Sequence, residues 1–401
     1  MTTTMSGGRP IEVHWFLPTS GDGRSVVDFF PDPAGKLPAS ARTADIDYLR
    51  QVAQAADRLG FDGVLTPTGV LCEDAWIVTA ALARDTEHLK FLVAFRPGFV
   101  LPTLAAQMTA TLQRITHGRV LLNVVSGGDE AEQRSFGDFL NHDKRYERAD
   151  EFMEVVRKCW EREPFDYAGQ HYQVEKGGLR WPFGNPAGDN DGGVSSRPSL
   201  YFGGASPAAE LVAARHADVY LLWGEPPEWV AERIARMREL ATAQQRTLRF
   251  GIRLHVIARE NEADAWSEAA RLLEKMNPEQ IAMAQRRFAR TESVGQQRMT
   301  SLNNGRFDMQ SLTVAPNLWS GIGLVRGGAG TALVGSYDQV ADRIREYAAL
   351  GLDTFILSGY PHLEEAYVIG EELLPRLRTI SAGVPGAQRP ADPALAPQGP
   401  G

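Results

Sequence analysis

The chain is predicted to fold as an α/β protein, a (β/α)8 TIM barrel with insertions after strands 1, 4 and 7. Three observations predict it. Short apolar, β-branched runs alternate with longer amphipathic ones. The short runs number eight, the count of a closed barrel. The unusual polar residues fall just after those runs, at the strand ends where barrel enzymes place their sites. A doubly wound open sheet uses the same alternation, and the count of eight favours the barrel.

The strands are read at Glu12–Leu17, Gly63–Thr66, Leu89–Phe95, Val120–Ser126, Ser199–Phe202, Val219–Trp223, Phe250–Ile257 and Thr354–Leu357. The helices between and after them are read at Asp45–Leu59, Glu73–Arg84, Thr103–Ile115, Lys144–Trp160, Pro207–Arg215, Glu228–Gln244, Asp338–Leu350 and Leu363–Leu374. Three stretches exceed a minimal barrel. Residues 24–43 are polar and contain Pro; residues 163–197 end in loop chemistry; residues 276–335 begin helical and become Gly-rich from Gly321. Such insertions often carry function or form lids. Residues 1–10 are expected to be a flexible N-terminus, 11–378 a single catalytic domain, and 379–401, rich in Ala, Pro, Gly and Gln, a disordered tail.

At 401 residues and 43% hydrophobic, the chain can bury a large core. A formal charge of −8 with both signs scattered disfavours nonspecific nucleic-acid binding. Cys72 and Cys159 fit no metal-site spacing and imply a reducing compartment. The N-terminus has no signal-peptide core, and no apolar run approaches the ~18 residues of a membrane span. A cytoplasmic protein with no nucleic-acid or membrane partner is expected.

Arg253 and His255 carry the sharpest signal. They sit two apart in an apolar strand, so the pleat points both to one face. A guanidinium fixes an anion, and an imidazole can move a proton near neutral pH. Gly203-Gly204-Ala205-Ser206-Pro207 combines close backbone approach, an N-cap and a helix start, which suits a phosphate. Alone, an ordinary capped helix explains it equally well. Tyr146, in the helix opening after Asn141, is placed to add a hydroxyl to the same phosphate. Phe95 at the end of strand three, and Asn123 and Ser126 at the end of strand four, complete the expected cofactor-binding set. Cys72 precedes Glu73 and Asp74 at a helix start, where the dipole and the carboxylates oppose each other, so it reads as a hydrogen-bond donor rather than a nucleophile. Arg326 lies among glycines that would let a loop close on an anion. No His-Glu-x-x-His, P-loop, dinucleotide fingerprint or Gly-x-Ser-x-Gly elbow occurs, and no metal site is expected.

Several segments together resemble the two-component, reduced-flavin-dependent alkanesulfonate monooxygenases of the bacterial-luciferase-like superfamily. They are Trp15-Phe16-Leu17-Pro18-Thr19, Cys72-Glu73-Asp74-Ala75-Trp76, Tyr201-Phe202-Gly203-Gly204, Trp223-Gly224-Glu225-Pro226-Pro227 and Phe250-Gly251-Ile252-Arg253-Leu254-His255. Further matches are Ser293-Val294-Gly295-Gln296-Gln297-Arg298-Met299, Pro316-Asn317-Leu318-Trp319, residues 324–335 around Arg326, and Ser358-Gly359-Tyr360-Pro361-His362. The resemblance implies a TIM barrel and reduced FMN, supplied as a diffusible co-substrate by a separate NAD(P)H-dependent FMN reductase. With O2 it implies cleavage of an alkanesulfonate to an aldehyde and sulfite in sulfur acquisition, and a homo-oligomer, dimer or tetramer. It implies active-site roles for Cys72, Trp223, Arg253, His255, Arg326, Tyr360 and His362. Arg253 and Arg326 suit a permanent anion, His255 is preferred over Arg253 as base, and Tyr360 is a hydrogen-bond donor.

The chain departs from that family at Ser20, where His is common, at Val70-Leu71, where Arg-Ser is common, and at Ala205, where Ser is common. The first two make the rim less polar and bear on substrate more than on flavin. Two alternatives therefore stand beside sulfonate cleavage: a related FMNH2-dependent monooxygenase of another organosulfur or small organic substrate, and a flavin-binding protein without turnover.

Overall fold

The computed structural model describes residues 9–28, 36–161, 163–180, 183, 197–303 and 305–378. Eight parallel strands close into a barrel: β1 (Glu12–Phe16), β2 (Gly63–Thr66), β3 (Lys90–Phe95), β4 (Val120–Val124), β5 (Leu200–Gly203), β6 (Val219–Trp223), β7 (Arg249–Arg259) and β8 (Thr354–Ser358). Pairing of β8 with β1, from Glu12↔Thr354 to Trp15↔Leu357, closes the ring and excludes the open sheet. All eight expected strands form, with ends shifted by a residue or two.

The strands read as nearly continuous apolar runs because both faces are buried. Phe16, Leu65, Leu92, Ala94, Tyr201 and Ile356 fill the barrel interior. Phe91, Val93, Phe95, Leu122 and Phe202 point outward under the helices. Helix starts are set by local chemistry. Asp45, Asp74, Ser206 and Ser336 each accept an N–H of the first turn, and Ser336 with Gln339 forms a capping box.

The first insertion is pinned at its ends, where the Asp22 and Arg42 backbones exchange hydrogen bonds of 2.9 and 2.7 Å; residues 29–35 lie outside the described residues. The second carries an antiparallel hairpin, Phe165–Ala168 with Gln173–Gly177, ahead of the segment with loop chemistry. The remainder of 182–197 falls almost wholly outside the described residues, as do 1–8 and 379–401.

The third insertion is more ordered than a Gly-rich lid suggests. Helices Pro278–Phe288 and Val294–Asn303 lead into strands Thr313–Ala315 and Leu318–Trp319. These pair onto a further strand, Ala332–Ser336, which runs parallel to the second half of β7 from His255↔Ala332 to Arg259↔Ser336. The expected boundary at Gly335 therefore falls inside a strand, whose apolar run, Leu333-Val334, is only two residues long. A helix at Glu262–Glu274 was also not anticipated. Its buried side, Ala265, Ala269 and Leu272, recurs at helical spacing. Among the described residues no helix is long and apolar enough to cross a membrane.

The glycine segment folds back on itself where Gly323 N donates to Gly330 O at 2.8 Å. A Cβ on Gly330 would lie 2.6 Å from the Gly323 Cα, so backbone must shift to admit it. Gly330→Ala is expected to destabilise the chain by about 1–3 kcal/mol, read as a lower denaturant midpoint; an unchanged midpoint would show that the two glycines are not held in contact.

Candidate active site

The C-terminal ends of the strands carry a site with two parts. The first is a cleft at the ends of β4, β5 and β6, enclosing about 1010 Å³ with its open mouth included. Asn123, Ser126, Tyr146, Gly203, Gly204, Ser206 and Trp223 all line it. Ser206 caps helix Pro207–His216, accepting from Ala209 N at 3.2 Å, so the positive end of that helix opens on the cleft. Gly204 has φ +148°, and a Cβ there would lie 2.6 Å from the Ala209 Cβ and 3.2 Å from the Tyr146 hydroxyl. The glycine thus keeps open the space between the helix start and Tyr146. The Ser126 hydroxyl is buried with no partner among the described residues, a donor aimed at nothing the chain supplies. Burial pushes the Tyr146 phenol above its ordinary pKa, so it remains a donor. Trp223 packs on Gly295, whose added Cβ would sit 3.1 Å from the ring. The third insertion thereby supplies a wall of the cleft, tied down by a hydrogen bond of 2.7 Å from the Thr291 hydroxyl to Gly128 O.

Phe95 does not join this cleft. Alternation along β3 sends Phe91, Val93 and Phe95 outward, and Phe95 packs against Trp76 and Phe152 with ring centres 5.2 and 5.8 Å apart. Its placement as a cofactor-binding residue is corrected to core packing.

The second part is a buried cluster from β1, β7, β8 and the third insertion. The Arg253 guanidinium stands 4.7 Å from the centre of the Phe16 ring and that of Arg326 stands 5.2 Å from it. Arg253 donates to the carbonyls of Leu254 and Ile356 and, at 2.8 Å, to Ser358 Oγ. Arg326 donates to the Tyr360 hydroxyl at 2.7 Å. Neither has a carboxylate within ion-pair distance among the described residues. Burial, then the charge of Arg326, lowers the Arg253 pKa to about 9. Tyr360 is raised by burial and stays protonated; because its oxygen accepts from Arg326, its own proton is available to a bound group.

His255 is held at both nitrogens. Nε2 lies 3.1 Å from Ala329 O, which only accepts, so Nε2 carries the proton. Nδ1 therefore accepts from Ser358 Oγ at 2.8 Å. The relay runs Arg253 to Ser358 to His255 to Ala329, joining β7, β8 and the insertion. Burial, then the charges of Arg253 and Arg326, holds His255 well below its ordinary pKa. A base at His255 would require one of these contacts to break; as folded, the imidazole orients its neighbours.

Cys72 sits beside Thr19, Arg326, Arg96 and Glu132, and burial raises its thiol pKa, which keeps it a thiol. Arg96, at the end of β3, pairs with Glu132 at 2.8 Å and leaves Nε and Nη1 buried without partners among the described residues. His362 Nδ1 lies 2.8 Å from Asp22 Oδ1. Arg96, Glu132, Asp22 and Ser358 are parts of the site that sequence reasoning did not single out. Val70 and Leu71 are exposed, as a rim position requires. No group of three potential metal ligands occurs among the described residues.

The family model described as luciferase-like monooxygenase matches residues 12–354. Among solved structures, the chain is similar to the EDTA monooxygenase EmoA from Chelativorans sp. BNC1, with 19% identity, 93% of this chain and 95% of that chain covered, and a TM-score of 0.70. It is similar to DmoA from Hyphomicrobium sulfonivorans at 22% identity, covering 93% of this chain and 89% of that one, with a TM-score of 0.72. A third likeness is to the oxygenating constituent of 3,6-diketocamphane monooxygenase from Pseudomonas putida in complex with FMN: 17% identity, 92% and 99% covered, TM-score 0.63. At these identities the likenesses show a shared fold.

His255 generates a stability prediction. Its folded pKa is depressed, whereas the unfolded chain binds a proton near 6.5. The unfolded state therefore gains protons first as pH falls, and stability is lost below about pH 6.5, by up to about 1.4 kcal/mol per pH unit from this group. Denaturant midpoints at pH 8 and pH 5 should diverge less in His255→Asn than in the parent; equal divergence would mean that His255 is not held neutral.

Proposed function

The chain belongs to the luciferase-like monooxygenase family, and from that premise we propose that it is the oxygenating component of a two-component enzyme that cleaves alkanesulfonates to an aldehyde and sulfite. A separate NAD(P)H-dependent reductase supplies the reduced FMN, and O2 is the second co-substrate. The observation that carries this reading is the pair of guanidiniums, Arg253 buried and Arg326 half-buried, facing one phenyl ring with no carboxylate within ion-pair distance of either among the described residues. A small permanent anion completes such a site.

The cleft fits a flavin phosphate in its donor set. The Ser126 hydroxyl has no partner, Tyr146 and Ser206 stand at a helix start, and Gly203 and Gly204 keep the backbone approachable. Bound reduced FMN supplies the electrons with which O2 is activated. The protein's own groups do the rest: Arg253 and Arg326 hold the sulfonate, Tyr360 offers its proton, Cys72 donates as a thiol, and Trp223 walls the cleft. The docked insertion excludes water around them. Exposed Leu71, Ile77, Leu101, Leu104 and Phe139, on the loops and helices after β2, β3 and β4, support a homo-oligomer.

A second reading, oxygenation of another organosulfur or small organic substrate, is favoured by the apolar exposed pair Val70-Leu71 on the rim. Sulfite release under air from a panel of alkanesulfonates, with FMN, NAD(P)H and a generic flavin reductase, separates the two. Sulfite dependent on every component is expected; tight binding of reduced FMN with no sulfite from any sulfonate would move the assignment to the second reading. Arg253→Ala and Arg326→Ala should each raise KM for the sulfonate roughly 10–100-fold, the worth of a charge-assisted hydrogen bond. Loss of the Arg253 proton near pH 9 should also weaken sulfonate binding, so KM rises as pH climbs through about 9; a KM flat from pH 7 to 10 would remove Arg253 from the anion site.

A further inference from the structure

Asp22 follows β1 in the polar Thr19–Gly23 turn at the active-site end of the barrel, and the sequence reading gave it no role of its own. It is wholly buried, and its carboxylate is saturated. Oδ1 accepts from Gly23 N at 2.8 Å and is met by His362 Nδ1 at 2.8 Å. Oδ2 accepts from His362 N at 2.8 Å and from the Tyr48 hydroxyl. Burial alone would raise this carboxyl; its contacts with His362, and then the Tyr48 hydrogen bond, outweigh it and hold the group below its ordinary value. An ionised carboxylate only accepts, so His362 Nδ1 carries a proton.

The other nitrogen has no such partner. His362 is 1% exposed, and Nε2 is buried with no hydrogen bond among the described residues. The ring is further fixed by Trp15 Nε1, which donates to His362 O at 3.0 Å. It stands edge-on to Tyr360, centres 5.1 Å apart, and tilted against Phe16 at 5.6 Å, the same ring that both guanidiniums face. His255, by contrast, has both nitrogens engaged. His362 touches Asp22, Trp15, Phe16 and Tyr360; Tyr48 reaches it through Asp22, Arg253 and Arg326 face the same Phe16 ring, and His255 stacks on Tyr360.

We propose that Asp22 is a positioning residue of this site: it holds His362 in the Nδ1–H tautomer, so that Nε2 is the group that accepts a proton from bound substrate. This rests on reading the cluster as the oxygenation site. The step is a proton transfer alone. The proton leaves the substrate atom with its electron pair retained there, joins the Nε2 lone pair, and the resulting imidazolium is balanced by the Asp22 carboxylate. The arrangement follows the general logic by which a buried carboxylate fixes the tautomer of a working histidine.

The test combines histidine-selective 15N NMR of the full chain with steady-state kinetics of Asp22→Asn. In the parent at neutral pH, the His362 resonances, assigned through His362→Gln, are expected to report Nδ1 protonated and Nε2 unprotonated. Asp22→Asn should lower kcat roughly 100-fold, with KM for the sulfonate and reduced-FMN affinity within threefold, and should displace the acidic limb of the pH profile. If Asp22→Asn does not fold, Tyr48→Phe, which leaves the Asp22–His362 contact in place, is expected to shift the same limb with less than a fivefold fall in kcat. A His362 protonated at Nε2 alone overturns the proposal. So does a folded Asp22→Asn, or failing it a Tyr48→Phe, with parental turnover and pH profile. The tautomer is read without turnover, so an absence of activity on every substrate overturns the functional reading while leaving the tautomer measurement decisive for Asp22.

Discussion

The guanidiniums of Arg253 and Arg326 lie 4.7 and 5.2 Å from the centre of one phenyl ring, Phe16, inside a barrel mouth. Two like charges gathered on one ring repel, and the buried one, Arg253, is costly to remove from water. The depressed pKa of Arg253 is one sign of that cost. The fold offsets it with backbone carbonyls, the Ser358 hydroxyl, the Tyr360 hydroxyl and the face of Phe16, and among the described residues pairs neither guanidinium with a carboxylate. A stability argument alone would favour apolar residues or a paired acid at these positions. The arrangement makes sense if a negatively charged ligand is the missing partner.

Bringing these charges together is the task of β7. At eleven residues it is the longest strand among the described residues, and it pairs with three others. Its first half closes the barrel between β6 and β8. Its second half carries strand Ala332–Ser336, which docks the third insertion and delivers Arg326 to the mouth. The His255 relay ties the same three elements through Ser358 and Ala329. The insertion is thus anchored by a strand below and by the Gly323–Gly330 contact within, and the turn at Arg326-Gly327-Gly328 is tied by Gly328 N donating to Gln296 Oε1 at 2.8 Å.

Much of this is legible in the sequence because the barrel writes its pattern locally. All eight strands, the shared face of Arg253 and His255, and the phosphate-type helix start at Gly203–Pro207 follow from period and turn chemistry. What is not legible depends on contacts made far along the chain. Asp22 meets His362 and Ser358 meets Arg253 across separations of 340 and 105 residues, and no local pattern announces either pair. Phe95 was misplaced because every residue of β3 after Lys90 is apolar, so alternation leaves no polar marker of which face is inward. The strand Ala332–Ser336 was missed because its apolar run, Leu333-Val334, is only two residues long, whereas the helix Glu262–Glu274 was missed although Ala265, Ala269 and Leu272 recur at helical spacing. The roles of the site residues rest on the resemblance and on their geometry together, with Arg96 and Glu132 added by geometry alone.

The central claim is that the barrel mouth is an anion site, and it can be tested without catalysis. Calorimetric titration would compare a medium-chain alkanesulfonate with the alcohol of the same chain length, in the parent and in the Arg253→Ala, Arg326→Ala double variant. The account predicts that the sulfonate binds the parent at least tenfold more tightly than the alcohol, and that the double variant abolishes the difference. Equal affinity for the charged and uncharged ligands in the parent would contradict it, and the two guanidiniums would then need another explanation.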